Sequence, residues 1–280
     1  MRACGVPFEP LDAGEIMRRW PQFRLTDDIH GLYQVESGIA PAARCNAAHI
    51  RMARAHGATL REHTPVLALR AVDGEIQVAT AAATYRCRKL VVAADAWTNR
   101  ALAHFGTKLP LTVTQEQVTY FAMPRLDDFA PERFPIWIWM DEPSFYGFPV
   151  YGEAGTKAGQ DVGGQEVSAE TRTFEPDPAA QQRLEDFLRR YIPGALGPII
   201  YTKTCLYTLT PDRDFVLDSL PEQPDVLVAL GATHGFKFAS LFGKILRVLA
   251  IDGATECDIS AFKIDRPILL EERPAQSFLI

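Results

Sequence analysis

Two stretches constrain this chain more than any others: "KLVVAADAW" (Lys89–Trp97) and "VLVALGATHGFKFAS" (Val226–Ser240). Each opens as a continuous apolar run, and each passes at its end into a helical pattern. An uninterrupted run such as the first suits a parallel strand covered on both faces, because alternation is lost when neither face meets water. The second is a buried strand that turns into a helix. Between them the pattern is different. "LTVTQEQVTYFAM" alternates with period two, the mark of antiparallel pairing. The expectation is an α/β portion, an antiparallel insert, and a return to the α/β portion.

The remaining segments fill in that outline. "LDAGEIMRRWPQF" reads as a short helix stopped by Pro21, and "PAARCNAAHIRMARAHGA" as a helix ended by Gly57 with Ala, Ile and Met on one face. "TPVLALRAVDG" and "EIQVATAAATYRC" read as two strand runs joined at Asp73-Gly74, a strong hairpin signal. "FPIWIWMDEPSFYGFPVYG" and "GTKAGQDVGG" read as aromatic- and glycine-rich strands and turns. "DPAAQQRLEDFLRRYIPG" is a helix capped by Asp177, with Leu184, Phe187, Leu188 and Tyr191 on its apolar face. "PIIYTKTCLYT", "DFVLDSL" and "VLVALGA" are strands, and "FKFASLFGKILRVLAIDG" is a helix ended by Gly253.

Composition excludes several functions. The 280 residues carry a formal net charge of -6, with no basic run of the kind a nucleic-acid surface needs. Five cysteines are scattered without metal-ligand or disulfide-framework spacing, which makes a reducing cytoplasm the default location. No apolar run is long enough to span a bilayer. His49, His56 and His63 recur at a spacing of seven, but Gly57 breaks the helix, and a solvated face suits them better than a metal. There is no Gly-x-Ser-x-Gly elbow, HExxH or P-loop.

Three constellations carry chemistry. At Gly231–Lys237, two glycines let backbone approach a ligand, and a helix start near Phe236 adds free N–H groups and a positive dipole end to the Lys237 charge. Such a junction accepts an anion, or Lys237 simply snorkels to water. In "KTCLYT", Cys205 and Tyr207 share one strand face, beside a pocket or inside a core. In "FYGFPVYGEAGTKAGQD", Tyr146 and Lys157 lie on consecutive strands. Lys157 faces either a pocket or solvent.

In order and spacing, "EIMRRWPQF", "SGIAPAARC", "GATLREHTPV", "KLVVAADAW", "YGFP", "TKAGQ", "CLYTLTPDRDFVLD", "GATHGFKFAS" and "DISAFKIDRP" resemble the monomeric sarcosine oxidase and N-methyltryptophan oxidase family of FAD-dependent amine oxidases. The resemblance implies an α/β (α+β) fold: an incomplete FAD-binding Rossmann-like domain (1–108 and 201–280) with an inserted antiparallel β-sheet substrate domain (109–200). It implies FAD as cofactor, bonded through Cys205, and a secondary amine such as sarcosine, an N-methyl amino acid or a cyclic amino acid as substrate. Oxygen would be the acceptor, with an imine and hydrogen peroxide as products. By the same resemblance Lys157 activates oxygen, Tyr146 and Tyr207 surround the amine, and Lys237 holds the substrate carboxylate. Gly231, His234, Gly235 and Phe236 belong to the flavin cradle. Val66 touches the adenine end, and Ala94 and Trp97 pass near the cofactor.

The sequence departs from that family at three places. It has no Gly-x-Gly-x-x-Gly turn for the FAD pyrophosphate, so Met1 is expected to fall after the first βαβ unit, leaving an apolar sheet edge. Asp95 stands where the family usually has glycine. Asp161 stands where sarcosine oxidase has a histidine. Two rival readings follow from the missing turn: a non-catalytic truncated homologue, or a subunit whose partner chain supplies the nucleotide-binding unit. A dehydrogenase that passes electrons to a protein is a third. Trp137, Trp139 and Phe145 are read as pocket-lining or core.

Overall fold

The computed structural model describes residues 1–277. Its mixed α/β architecture centres on a six-stranded antiparallel sheet. The strand Thr112–Ala122 runs through the middle of it. One edge of this strand pairs with Ile199–Leu209, from Phe121↔Ile199 to Thr112↔Leu209. Its other edge pairs with Gly155–Asp161 and with the short Gln165–Glu166. Beyond Gly155–Asp161 come Ser144–Phe148 and then Trp137–Trp139. The strand Ile199–Leu209 straddles residue 200 and is antiparallel throughout.

One face of this sheet is packed. Phe121, Phe145 and Ala158 meet Leu184, Phe187 and Leu188 of the helix Pro178–Tyr191, all of them buried. That helix forms as its sequence dictates, with Asp177 Oδ1 accepting the Ala179 N–H as N-cap and proline in the first turn. Phe187 stacks on Phe145 at 4.3 Å between ring centroids and contacts Trp137, Trp139 and Tyr191 as well. Gly147 makes this possible: a Cβ there would lie 2.4 Å from the Trp137 ring.

The second sheet holds the two apolar runs. Gln223–Leu230 lies between Val216–Leu220, antiparallel, and Leu90–Val92, parallel. Along Gln223–Leu230 the side chains of Val226, Val228 and Leu230 enter one core with Val92, Leu102 and Leu109. Leu227 enters another, with Ile245 and Leu246 of the helix Ala239–Asp252. Both faces being covered, the strand has no alternation to show. The third sheet is Val66–Val72, Glu75–Thr80 and Thr84–Cys87. Its first turn is Asp73-Gly74, with φ of 51° and 76°, as a tight hairpin requires.

Three expectations need correction, and one helix forms as expected but buries nothing. "EIQVATAAATYRC" is two strands, because Thr80 Oγ1 accepts the Ala82 and Ala83 N–H groups and closes a second turn. Leu90–Val92 is covered on one face only, with Val91 41% exposed. The helix Ala42–Ala55 buries none of its residues. The last α-helix begins at Ala239, and Gly235–Phe238 before it is a 3-10 turn, so Lys237 precedes the α-helical N-terminus.

Replacing Phe187 with alanine empties the centre of the packed face. We expect a loss of about 3–5 kcal/mol of stability, read as a lowered urea midpoint with an unchanged slope.

Candidate active site

Side chains of directly paired residues in an antiparallel sheet point the same way, and position i+2 repeats the direction. The register therefore sorts the sheet. Phe145, Ala158 and Phe121 face the helix. Tyr146 and Phe148, Lys157 and Gly159, Glu116 and Tyr120, and Cys205 and Tyr207 share the opposite face. Tyr146, Lys157, Cys205 and Tyr207 are thus set on one face by three strands aligned through Thr112–Ala122. Trp137 and Trp139 lie with Phe145 on the core side, packed on Phe187, and line no pocket on this face.

Each group there has a defined setting. Lys157 Nζ stands 4.8 Å from the Phe148 ring centroid and 5.9 Å from that of Tyr120. Its pKa is lowered by burial, a trend that Cys205 opposes and Lys203 reinforces. Aromatic faces stabilise a cation that has lost part of its water. Tyr146 lies across Gly159, where a Cβ would come within 3.1 Å of the phenol oxygen. The phenols of Tyr146 and Tyr207 are paired, and burial raises the pKa of both, so both stay neutral.

Cys205 presents an accessible residue to solvent. Burial of its thiol raises the pKa. Glu116 and Asp95 push the same way, and Lys157 and Arg172 push against them. Glu116, directly opposite Cys205 in the register, is 5% exposed and accepts from Thr114 Oγ1 at 2.7 Å and from the Gly164 N–H at 3.0 Å. Desolvation raises its own pKa. Asp95 has a raised pKa from burial, offset by Thr208 and the Ala96 N–H. That is how the chain accommodates a carboxylate at this turn.

The Gly231–Lys237 junction follows the strand Gln223–Leu230. A Cβ on Gly231 would sit 2.9 Å from Gly235 Cα, so the turn is closed by backbone alone. His234 packs on Phe215 at 5.2 Å, and burial, with Lys237 and Arg213 adding, lowers its pKa to about 4. Phe236 and Lys237 face solvent, and partial shielding lowers the Lys237 pKa while Asp161 raises it. Asp161 is held by Arg213 at 3.1 Å. Ala94 and Trp97 flank Asp95, with Trp97 45% exposed. Val66 is 49% exposed in the hairpin sheet, and none of the interactions described for this face reaches it.

Sequence reasoning missed Glu116, Arg172 and Arg213. Glu116 had a signal: strand period puts it on one face with Val118 and Tyr120, where a carboxylate is out of place. Arg172 and Arg213 lie in loops and had none. Two hollows of about 300 and 460 Å³ lie elsewhere, beside Leu11 and His30 and beside Val72 and Phe105, and carry no comparable cluster. Among the described residues no group of three ligating side chains could hold a metal, and no helix is long and apolar enough to cross a membrane.

The family described as FAD dependent oxidoreductase matches residues 1–249. The monomeric sarcosine oxidase of Bacillus sp. (strain NS-129) is 32% identical over 268 residues, a match covering 94% of this chain and 69% of that protein. N-methyl-L-tryptophan oxidase of Escherichia coli (strain K12 / DH10B) is 32% identical over 265 residues, covering 92% and 69%. Among solved structures, the open form of NikD, an unusual amino acid oxidase essential for nikkomycin biosynthesis, superimposes with a TM-score of 0.80 at 29% identity, covering 94% of this chain and 70% of that one.

The His234 setting has a pH consequence. Its imidazole is protonated below about 6.5 in the unfolded chain but only below about 4 in the folded one. Between those values the unfolded state binds more protons, so stability falls as pH falls through that window. His234→Gln should flatten the melting-temperature profile between pH 6.5 and 4; an unchanged slope would show that other groups set it.

Proposed function

We propose that this chain, which belongs to the FAD dependent oxidoreductase family, oxidises the secondary amine of an N-methyl or cyclic amino acid, with oxygen as acceptor and an imine and hydrogen peroxide as products. The observation that carries the reading is the register. It puts Tyr146, Lys157, Cys205 and Tyr207 on one sheet face, opposite the packed one.

Three features of that face fit the ring end of FAD. Gly231 and Gly235 close their turn backbone against backbone, as a backbone cradle needs. The buried Arg172 Nε has no hydrogen-bond partner among the described residues. Burial and Glu116 raise the pKa of Cys205, and the Lys157 and Arg172 cations oppose them in favour of the thiolate, the form that bonds to carbon. Cys205, Gly231, His234, Gly235 and Phe236 would hold the ring, with Ala94 and Trp97 beside it and Val66 towards the adenine end. When bound, FAD supplies a two-electron acceptor for the amine carbon.

The chain's own residues do the rest. Lys237 receives the substrate carboxylate as a point charge. Tyr146 and Tyr207, neutral and paired, wall the amine without adding charge. Lys157, fixed between Phe148 and Tyr120, presents a cation where negative charge develops on oxygen. On this reading residues 109–200 form the substrate part, and 1–108 and 201–280 the cofactor part. A second reading is that a further chain supplies the dinucleotide clamp.

The test is a visible spectrum after incubation with FAD, before and after acid precipitation. Yellow colour retained in the precipitate, and lost in Cys205→Ser, supports the cofactor site. A colourless chain that turns yellow only with a clamp-bearing partner supports the second reading. In the loaded protein, Lys157→Met should slow flavin reoxidation by oxygen about a hundredfold and leave anaerobic reduction near normal; equal losses in both would remove the oxygen role from Lys157.

A further inference from the structure

Glu116 lies on the site face and has no part in the roles above. It sits inside the strand Thr112–Ala122, directly opposite Cys205 of Ile199–Leu209. Side chains set opposite in an antiparallel pair stand about 4.5–5.5 Å apart at Cβ. The residue is 5% exposed. Both of its oxygens are held. Oε1 accepts from Thr114 Oγ1 at 2.7 Å, and the Gly164 N–H lies 3.1 Å from Oε1 and 3.0 Å from Oε2. The approach of Gly164 is close enough to need glycine, since a Cβ there would come within 2.8 Å of Oε2.

These bonds fix a carboxylate without neutralising it. The donors that hold it are uncharged, and among the described residues Glu116 makes no ion pair. A fixed negative charge beside a thiol opposes a second one on the sulfur. The other groups around Cys205 are mixed. Lys157 and Arg172 favour the thiolate, and Asp95 opposes it. The phenols of Tyr146 and Tyr207 also feel Cys205, and both are neutral. Lys203 and Tyr207 flank it along its own strand face. Asp161 acts on Glu116 as a like charge and is itself paired with Arg213. Of the groups that face the sulfur, Glu116 is the one set opposite it by the register.

We propose that Glu116 is a positioning residue that acts through Cys205: its buried, fixed carboxylate holds the sulfur as the thiol, so that the cysteine does not ionise freely at neutral pH. The charge is the device. A glutamine of the same shape would fill the same space and let the thiolate form. The thiolate is both the nucleophile and the form that oxidises, so a cysteine kept protonated is spared oxidants and passing electrophiles. The inference rests on the cofactor reading only for what Cys205 finally bonds; the state of the sulfur is measured without FAD.

Alkylation of the full chain by iodoacetamide across pH, resolved by peptide mass spectrometry, tests this. Cys205→Ser identifies the signal. In Glu116→Gln, Cys205 should alkylate about fivefold faster at neutral pH, with the midpoint of its pH profile moved down. The limiting rate at alkaline pH should not rise, because a less basic thiolate is no better a nucleophile. A loosened sheet would instead raise the rate at every pH. Glu116→Asp keeps the charge and should keep the midpoint of the unsubstituted chain. Should Glu116→Gln not fold, Glu116→Met removes the same charge with an apolar side chain of similar length and should move the midpoint the same way. An unmoved midpoint, a rate raised equally at all pH values, or an equal shift in Glu116→Asp overturns the role of Glu116. FAD takes no part in the measurement, so a chain that never retains yellow colour overturns the cofactor reading alone and leaves this result standing.

Discussion

Thr112–Ala122 must satisfy two long partners at once, and its register decides what every other strand displays. Ile199–Leu209 and Gly155–Asp161 are both aligned against it. Phe121 fixes the parity, since it is fully buried under the helix Pro178–Tyr191. A slip of one residue would turn each side chain to the other face. Glu116, Lys157 and Cys205 would then enter an apolar core, and Phe121 and Ala158 would meet water. The cost of burying two charges there is large enough to exclude the alternative. The same hydrophobic contact that holds the sheet on its helix thus assembles the site on the far side. The chemistry is a by-product of packing in the sense that no site residue has to find its neighbours independently.

Packing leaves the approach to the face to the loops, and strain collects there. Asp95, Val162, Arg213, Ala232 and Thr233 all have positive φ without being glycine. Each conformation costs about 1–3 kcal/mol. They occur at strand ends that deliver Asp95, Asp161, Arg213 and His234 toward one region. Strand interiors are regular by comparison. The fold thus uses ordinary β geometry to align the sheet side chains and distorted loop geometry to bring charged groups to its rim.

This division explains what was legible in the sequence. Asp73-Gly74 and the Asp177-capped helix were readable because local chemistry alone determines them. The apolar run Val226–Leu230 was readable because two cores claim its alternate residues. Tyr207 beside Cys205 followed from strand period. Trp137 and Trp139 remained ambiguous, because an aromatic strand looks the same whether it faces a pocket or a helix. Only the pairing with Gly147 and Phe145 decides it. The helix start was misplaced at Phe236 because nothing in "GFKFAS" distinguishes a 3-10 turn from a first α-turn. Arg213 could not be found, since its importance lies in reaching Asp161 from across the fold.

The balance at Cys205 shows how far position outweighs residue type. A thiol beside two cations would ordinarily be a reactive thiolate. Here burial, then Glu116 and least of all Asp95, raise the pKa against Lys157 and Arg172. The thiol is therefore restrained, on a residue that is exposed as a whole. An anionic ring placed against Lys157 and Arg172 would not relieve that restraint, because it adds negative charge. Neutralising Glu116 would, and its own raised pKa brings the protonated form nearer to neutrality. Glu116 and Cys205 are thus linked through one field: a proton gained by the carboxylate makes a proton easier to lose from the sulfur. The strand register, by setting these two side chains opposite one another, couples the reactivity of the cysteine to the protonation of a buried carboxylate.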